Sequence, residues 1–379
     1  MIKLAIIGAN EYQKPLILKA KERNIETHVF AWEDGAIAAL DADYFYPISI
    51  VERDQILEEC MKIGINGITS IGSDLAVNTM NYVAEKMGLA GNSLVSSSWC
   101  TNKYLMRSKF EENGIPVPKY MRVASAAEIN PDDFHFPVIV KPTDRSGSRA
   151  INKLNSPEGL QEAVLEACSV SFERRAIVEE FFEGPEFSCE CISYQGRHTL
   201  LAVTQKYTTG EPHFIETGHM QPANLSREDY DVIRQNVYKA LTALEIRNGA
   251  SHSEIKYQNG EVRFIEIGAR MGGDFIGSDL VQLSTGKDFL GMVIDVALGR
   301  APDLRKVSET HRSYVRFILN IQDIKMFESI KKSHTVVRYS QVDYTNLNRV
   351  IDSSTRLGYY IYIDKEPSVG IPEAEDPEM

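Results

Sequence analysis

Three short apolar runs punctuate the first hundred residues: Ile2–Ile7, His28–Ala31 and Gly67–Ile71. Each suits a buried strand, and the stretches between them are helix-like. The pattern therefore predicts βαβ units and a parallel, Rossmann-like sheet with helices on its faces. From Phe136 the chain turns strand-rich. Phe136–Lys141 reads as an apolar strand entering the polar loop Pro142–Arg149. Pro157–Ala167 reads as an amphipathic helix, with Leu160, Ala163, Val164 and Ala167 on one face. Ala176–Phe182 and the alternating Glu186–Ser193 predict strands, and Tyr230–Leu244 predicts a helix. His252–Tyr257 and Glu261–Ile267 are joined at Asn259-Gly260, a hairpin signal because both turn residues accept positive φ. After Gly299, strands near Tyr314–Leu319, Val336–Tyr339 and Tyr359–Ile363 predict a small α+β unit.

Length and charge narrow the class. The 379 residues suggest two or three domains. A net charge of −12 argues against a broad nucleic-acid surface, since nothing would neutralise phosphates on that scale. The five cysteines form no C-x-x-C pair, which disfavours a zinc ribbon or a thioredoxin-type centre. The N-terminal apolar run is too short for a signal peptide, and no window reaches the length of a membrane span. Phe289–Leu298 comes nearest, interrupted by Asp295. The expectation is a cytoplasmic protein without nucleic-acid or membrane partners. Glu373–Glu378 carries four acids in six residues and is expected to be disordered.

Several groups of residues point to chemistry. The turn after the first strand has one glycine, Gly8, where a dinucleotide fingerprint needs three, which disfavours a nicotinamide enzyme. In the hairpin, Glu254 faces about residue 265, and a bulge or a one-residue slip would bring it beside Glu266. Such a pair suits Mg²⁺ (or Mn²⁺), whose shell is completed by water and phosphate. Arg270, followed by Gly272 and Gly273, offers a guanidinium fork and backbone N–H groups to an anion. Lys141 ends an apolar strand, Lys103 opens a helix-like segment, and Ser146-Gly147 lies on a loop suited to covering phosphates. No Walker sequence occurs. The stretch Glu179-Glu180-Phe181-Phe182-Glu183-Gly184-Pro185-Glu186 suits a base and ribose hydroxyls.

Taken in order, Lys103, V-K-P at Val140–Pro142, the Ser/Gly loop, Glu179–Phe187, S-E-I-K at Ser253–Lys256 and F-I-E-I-G-A-R at Phe264–Arg270 resemble the ATP-grasp superfamily. Within it the chain is most similar to the carboxylate–amine ligases, including bacilysin-type L-amino-acid ligases and carbamoyl-phosphate-synthase-like proteins. The resemblance implies an α/β and α+β fold: a Rossmann-like domain at 1–95, an ATP-grasp domain at 96–300 and a small C-terminal α+β unit at 301–368 before the acidic tail. Residues 96–180 would include the lid, and 181–300 the catalytic sheet. It implies that Lys103 and Lys141 hold the α- and β-phosphates of ATP under Ser146 and Gly147. Glu180 and Phe182 would meet adenine with Glu179 nearby, and Glu186 would take the ribose. Glu254 and Glu266 would ligate Mg²⁺, and Arg270 would hold the acyl phosphate. Glu216-Thr217-Gly218-His219 resembles a substrate loop, with Glu216 toward an amino group and His219 near the reacting carboxylate.

One departure is Gly268, where many members carry an Asn metal ligand. The expected activity is ATP-dependent joining of a small-molecule carboxylate and an amine, with a homodimer compatible with the resemblance. Alternatives are an ATP-binding regulatory module that does not ligate, and a carboxylase or purine-type ligase acting on a phosphorylated substrate.

Overall fold

A computed structural model describes residues 1–147, 149–211, 214–347 and 349–366. The acidic stretch Glu373–Glu378 lies outside the described residues. Strands β1 (Lys3–Ile7), β2 (Glu26–Phe30), β3 (Tyr44–Tyr46) and β4 (Gly67–Thr69) form a parallel sheet in the order β3-β2-β1-β4. The sequence pattern predicts three of these. The fourth, β3, has only three residues at the sheet edge and leaves no buried run to detect.

A second, antiparallel sheet has the order β5-β8-β6-β7, with β5 (Tyr120–Val123), β6 (Val138–Pro142), β7 (Asn152–Leu154) and β8 (Ala176–Glu180). The helix Leu160–Val170 covers it. Leu160, Ala163, Val164 and Ala167, spaced along one helical stripe, pack on Val123, Val138, Val140 and Val178.

The third sheet is antiparallel and eight-stranded, in the order β13-β12-β9-β10-β11-β14-β16-β15. Its strands are β9 (Glu186–Tyr194), β10 (Arg197–Thr208), β11 (Glu216–Gln221), β12 (Gly249–Gln258), β13 (Glu261–Gly268), β14 (Ser313–Ile318), β15 (Thr335–Tyr339) and β16 (Gly358–Ile363). The C-terminal strands thus extend the central sheet through the β11–β14 pairing instead of building a sheet of their own. Gly218 permits that contact, because a Cβ there would lie 2.6 Å from the Val315 carbonyl oxygen. The stretch read as a polar substrate loop is strand β11. Its Glu-Thr-Gly-His start lacks the apolar alternation that marks a strand.

The two faces of the central sheet differ in chemistry. Phe187, Cys189, Cys191, Val203 and Ile255 pack on Ile233, Val237, Ala240 and Leu241 of the helix Arg227–Ala243. The alternate residues Ser188, Glu190, Thr204, Lys206 and His252 are also buried, but they are polar. Burying so many polar groups is costly unless they have partners or ligands, which makes this face the candidate functional face.

The apolar run Phe289–Leu298 becomes the helix Phe289–Ala297, buried at every residue. It shares one core with Leu4, Ile6 and Val29 of the N-terminal sheet and with Ile192, Leu201 and Ala250 of the central sheet. Asp295, the residue that interrupts the run, accepts from Arg23. Among the described residues, no helix is long and apolar enough to cross a membrane.

Candidate active site

A cavity of about 430 Å³ lies between the second sheet and the polar face of the third, and reaches Tyr12, Gly72 and Asp74 of the N-terminal domain. Every site residue expected from sequence except Gly272 lines it. A bulge between Glu254 and Ile255 sets Glu254 directly opposite Glu266, the slip that a regular hairpin would not make. Each carboxylate meets a cation: Lys103 Nζ is 2.7 Å from Glu266 Oε2, and Lys206 Nζ contacts Glu254 Oε1. Burial opposes ionisation of Glu254, but Lys206 and His252 hold its pKa well below the carboxylate range.

No group of three or more His, Cys, Asp or Glu among the described residues is disposed to hold a metal ion. Two opposed carboxylates are the donor set that suits Mg²⁺ completed by water and phosphate oxygens, so Glu254 and Glu266 fit that ion.

Lys103 opens the helix Lys103–Glu112, which Asn102 caps by accepting the amides of Tyr104 and Leu105. The Lys103 ammonium also donates to the Arg145 carbonyl 2.7 Å away, tying the loop that bears Ser146 and Gly147 to Glu266. Lys141, on β6, pairs with buried Glu179 of β8. Arg107 reaches the same carboxylate, its Nε 3.0 Å from Oε2. Burial works to raise Glu179, yet Arg107 and Lys141 hold it down to about 2. Glu179 is therefore a buried counter-ion that positions Lys141, a role invisible in the sequence. Glu180 accepts the His135 amide, and Phe182 lies under the Arg263 guanidinium.

Three further groups lie on the polar face without having been singled out from sequence. Lys206 of β10, buried between Glu186 (2.8 Å) and Glu254, is held above its ordinary range by those acids against the effect of burial. Glu190 pairs with His252 and accepts the Gly272 amide at 2.9 Å. That bond corrects the expectation that Gly272 presents a free N–H: its amide is already taken, and a Cβ there would meet Glu190 at 2.6 Å. Gly273 remains on the cavity wall. Burial would lower His252, but Glu190 raises it to about 9.

At the far end, Arg356 donates to Glu216 (2.8 Å) and Asp274 (3.0 Å), and Ser353 donates to Glu216 (2.9 Å). His219 Nε2 is 3.5 Å from Asp274 Oδ2, and neither ring nitrogen has a hydrogen-bond partner among the described residues. Burial lowers its pKa, which favours the neutral imidazole. Alternation would have found Glu190, because Glu186, Ser188 and Glu190 alternate with Phe187, Cys189 and Cys191, whereas Lys206 follows Thr204 and Gln205 and shows no such pattern. Arg356 gives no such signal, because it reaches the site from far along the chain.

The ATP-grasp domain family matches residues 134–279, from just before β6 through the Arg270 loop, with β5 and Lys103 outside the match. The chain carries an ATP-grasp domain over residues 134–279. It is 26% identical over 301 residues to alanine–anticapsin ligase of Bacillus subtilis (strain 168), a match covering 69% of this chain and 63% of that protein. A match at 26% to the uncharacterized protein y4rH of Sinorhizobium fredii covers 68% of this chain and 55% of that one. The chain thus spans less than two thirds of the length of both relatives. The crystal structure of L-amino acid ligase from Bacillus licheniformis superposes at a TM-score of 0.80, covering 97% of this chain and 94% of that one at 22% identity. That likeness shows the fold.

Proposed function

We propose that this chain is an ADP-forming carboxylate–amine ligase that joins amino-acid-like substrates through an acyl phosphate. The observation that carries the reading is a cavity lined together by Lys103 and Lys141, the opposed Glu254–Glu266 pair and the largely buried Arg270. The likeness to alanine–anticapsin ligase supports the same reading.

A carboxylate resists an amine because negative charge shields its carbon and the oxide is a poor leaving group. In the proposed reaction a substrate carboxylate oxygen attacks the γ-phosphorus of ATP, and the bond to the bridging oxygen breaks to release ADP. The amine nitrogen then attacks the acyl carbon, the carbon–oxygen bond to phosphate breaks, and the amine loses a proton. Lys103 and Lys141 neutralise phosphate charge, while Arg270 faces the charge that builds on the transferring oxygens and on the tetrahedral species. Bound Mg²⁺, held by Glu254 and Glu266, would supply further neutralisation of the phosphates. His219, on the cavity wall and held toward the neutral imidazole by burial, would take the amine proton. Glu216 and Asp274 set two carboxylates against the one Arg356 guanidinium, a balance that favours a substrate ammonium.

The test is Mg²⁺-dependent release of ADP and phosphate across a panel of amino acids, singly and in pairs, with mass spectrometry of the products. Release that requires a pair, with a product lighter than their sum by one water, is expected. Nucleotide binding without release, even with hydroxylamine as the amine, would overturn the reading in favour of a regulatory module.

A further inference from the structure

Arg270 does not reach the cavity alone. Its Nε lies 2.8 Å from Asp74 Oδ1 and its Nη2 3.0 Å from Asp74 Oδ2, a two-bond fork with both side chains largely buried. Its Nη1 donates to the Met271 carbonyl at 3.3 Å. A guanidinium has five N–H donors, so two remain for a ligand, and their direction is set by the other three. Asp74 comes from another part of the chain: it is the first residue of the helix Asp74–Met87, capped by Ser73. The loop before it is docked on the same segment, with the Gly72 amide donating to the Met271 carbonyl at 3.2 Å.

The space for this pair is made by a glycine. A Cβ on Gly268 would stand 2.9 Å from Asp74 Oδ1 and 3.2 Å from Arg270 Nε. Both neighbours are locked in the fork, so neither can give way without opening it.

We propose that Asp74 is a positioning residue for the reaction: it aims the Arg270 guanidinium at the reacting oxygens, and Gly268 is glycine because the Asp74–Arg270 fork occupies the space a side chain would need. The N-terminal domain thereby contributes to the chemistry through Arg270. Loss of the fork lets the guanidinium swing, and a displacement of about 1 Å at a reacting group costs roughly 100-fold in rate.

The inference rests on the ligase reading, and the test separates the two. Asp74→Asn and Gly268→Ala are each expected to lower kcat by about 10- to 100-fold while the KM for ATP stays within about twofold. Because both act on one fork, the double variant is expected to be no slower than Asp74→Asn alone. Wild-type kcat in Asp74→Asn, multiplied losses in the double variant, or a loss confined to the KM for ATP would overturn the proposal. An activity-independent readout is the Nε–Hε resonance of Arg270 in the full chain, assigned by its disappearance in Arg270→Lys. It is expected to be slow to exchange in wild type and fast in Asp74→Asn. Fast exchange in wild type would refute the fork. If wild type shows no ADP release with any substrate while that resonance is protected, the ligase reading fails, and the positioning role falls with it although the fork stands.

Discussion

Substituting Glu179 by Gln removes one negative charge from a buried group that faces two cations, Arg107 and Lys141. The size of the effect follows from the carboxyl group itself. Its pKa is ordinarily 4.5 and falls to about 2 in the fold, and about 2.5 pH decades correspond to about 3 kcal/mol. A depressed acid stabilises the fold above its unfolded pKa and loses that contribution as pH falls through its folded pKa. The difference between wild type and Glu179→Gln should therefore be about 3 kcal/mol at pH 7 and shrink to about 1 kcal/mol at pH 3, where only a single decade separates pH from the folded value. Glu179 ties β8 to β6, so the assay is native-state hydrogen exchange of the β6 and β8 amides in both proteins at the two pH values. A difference that is absent, or identical at pH 7 and pH 3, would refute the counter-ion role and return Glu179 to direct contact with nucleotide.

Other consequences can be checked independently. His252, raised to about 9 by Glu190, stabilises the fold fully below its ordinary 6.5 and loses that contribution as pH rises through 9; the midpoint of thermal unfolding should therefore fall from pH 7 to pH 9.5 in wild type and much less in His252→Asn. Glu266→Gln is expected to cut turnover more than about 100-fold and to raise the Mg²⁺ concentration giving half-maximal rate, as measured by ADP release in a metal titration. Arg356→Ala leaves Glu216 and Asp274 facing each other without their shared cation, a truncation that costs about 3 kcal/mol or more in buried pairs. The expected result is a fold destabilised by about 3 kcal/mol, read from denaturant unfolding of wild type and variant.

Much of the fold is legible because local rules and tertiary demands agree. Leu160, Ala163, Val164 and Ala167 form a stripe that buries itself as written, and Asn259-Gly260 makes the expected turn, each residue at positive φ. The residues proposed for phosphate and metal, Lys103, Lys141, Glu254 and Glu266, are legible because each sits in a compact sequence motif. What escapes lies where polar residues are buried. β11 reads as a loop because its cavity face carries Glu216 and His219, and β10 gives no sequence expectation although its interior is apolar. The partners that fix the charges, Arg107, Asp74, Glu190 and Arg356, lie between 62 and 196 residues from the groups they hold. No periodicity connects such positions. Gly268 shows the same limit: it reads as a missing metal ligand, and only the structure reveals the fork that fills its place.

The central claim is that the carboxylate substrate is activated by phosphoryl transfer within this cavity. The most direct measurement uses the acyl substrate identified in the panel, labelled with ¹⁸O in its carboxylate, and follows the mass of the phosphate released during ligation. The account predicts one ¹⁸O in each phosphate, since the carbon–oxygen bond breaks when the amine attacks. Unlabelled phosphate accompanying amide formation would contradict it.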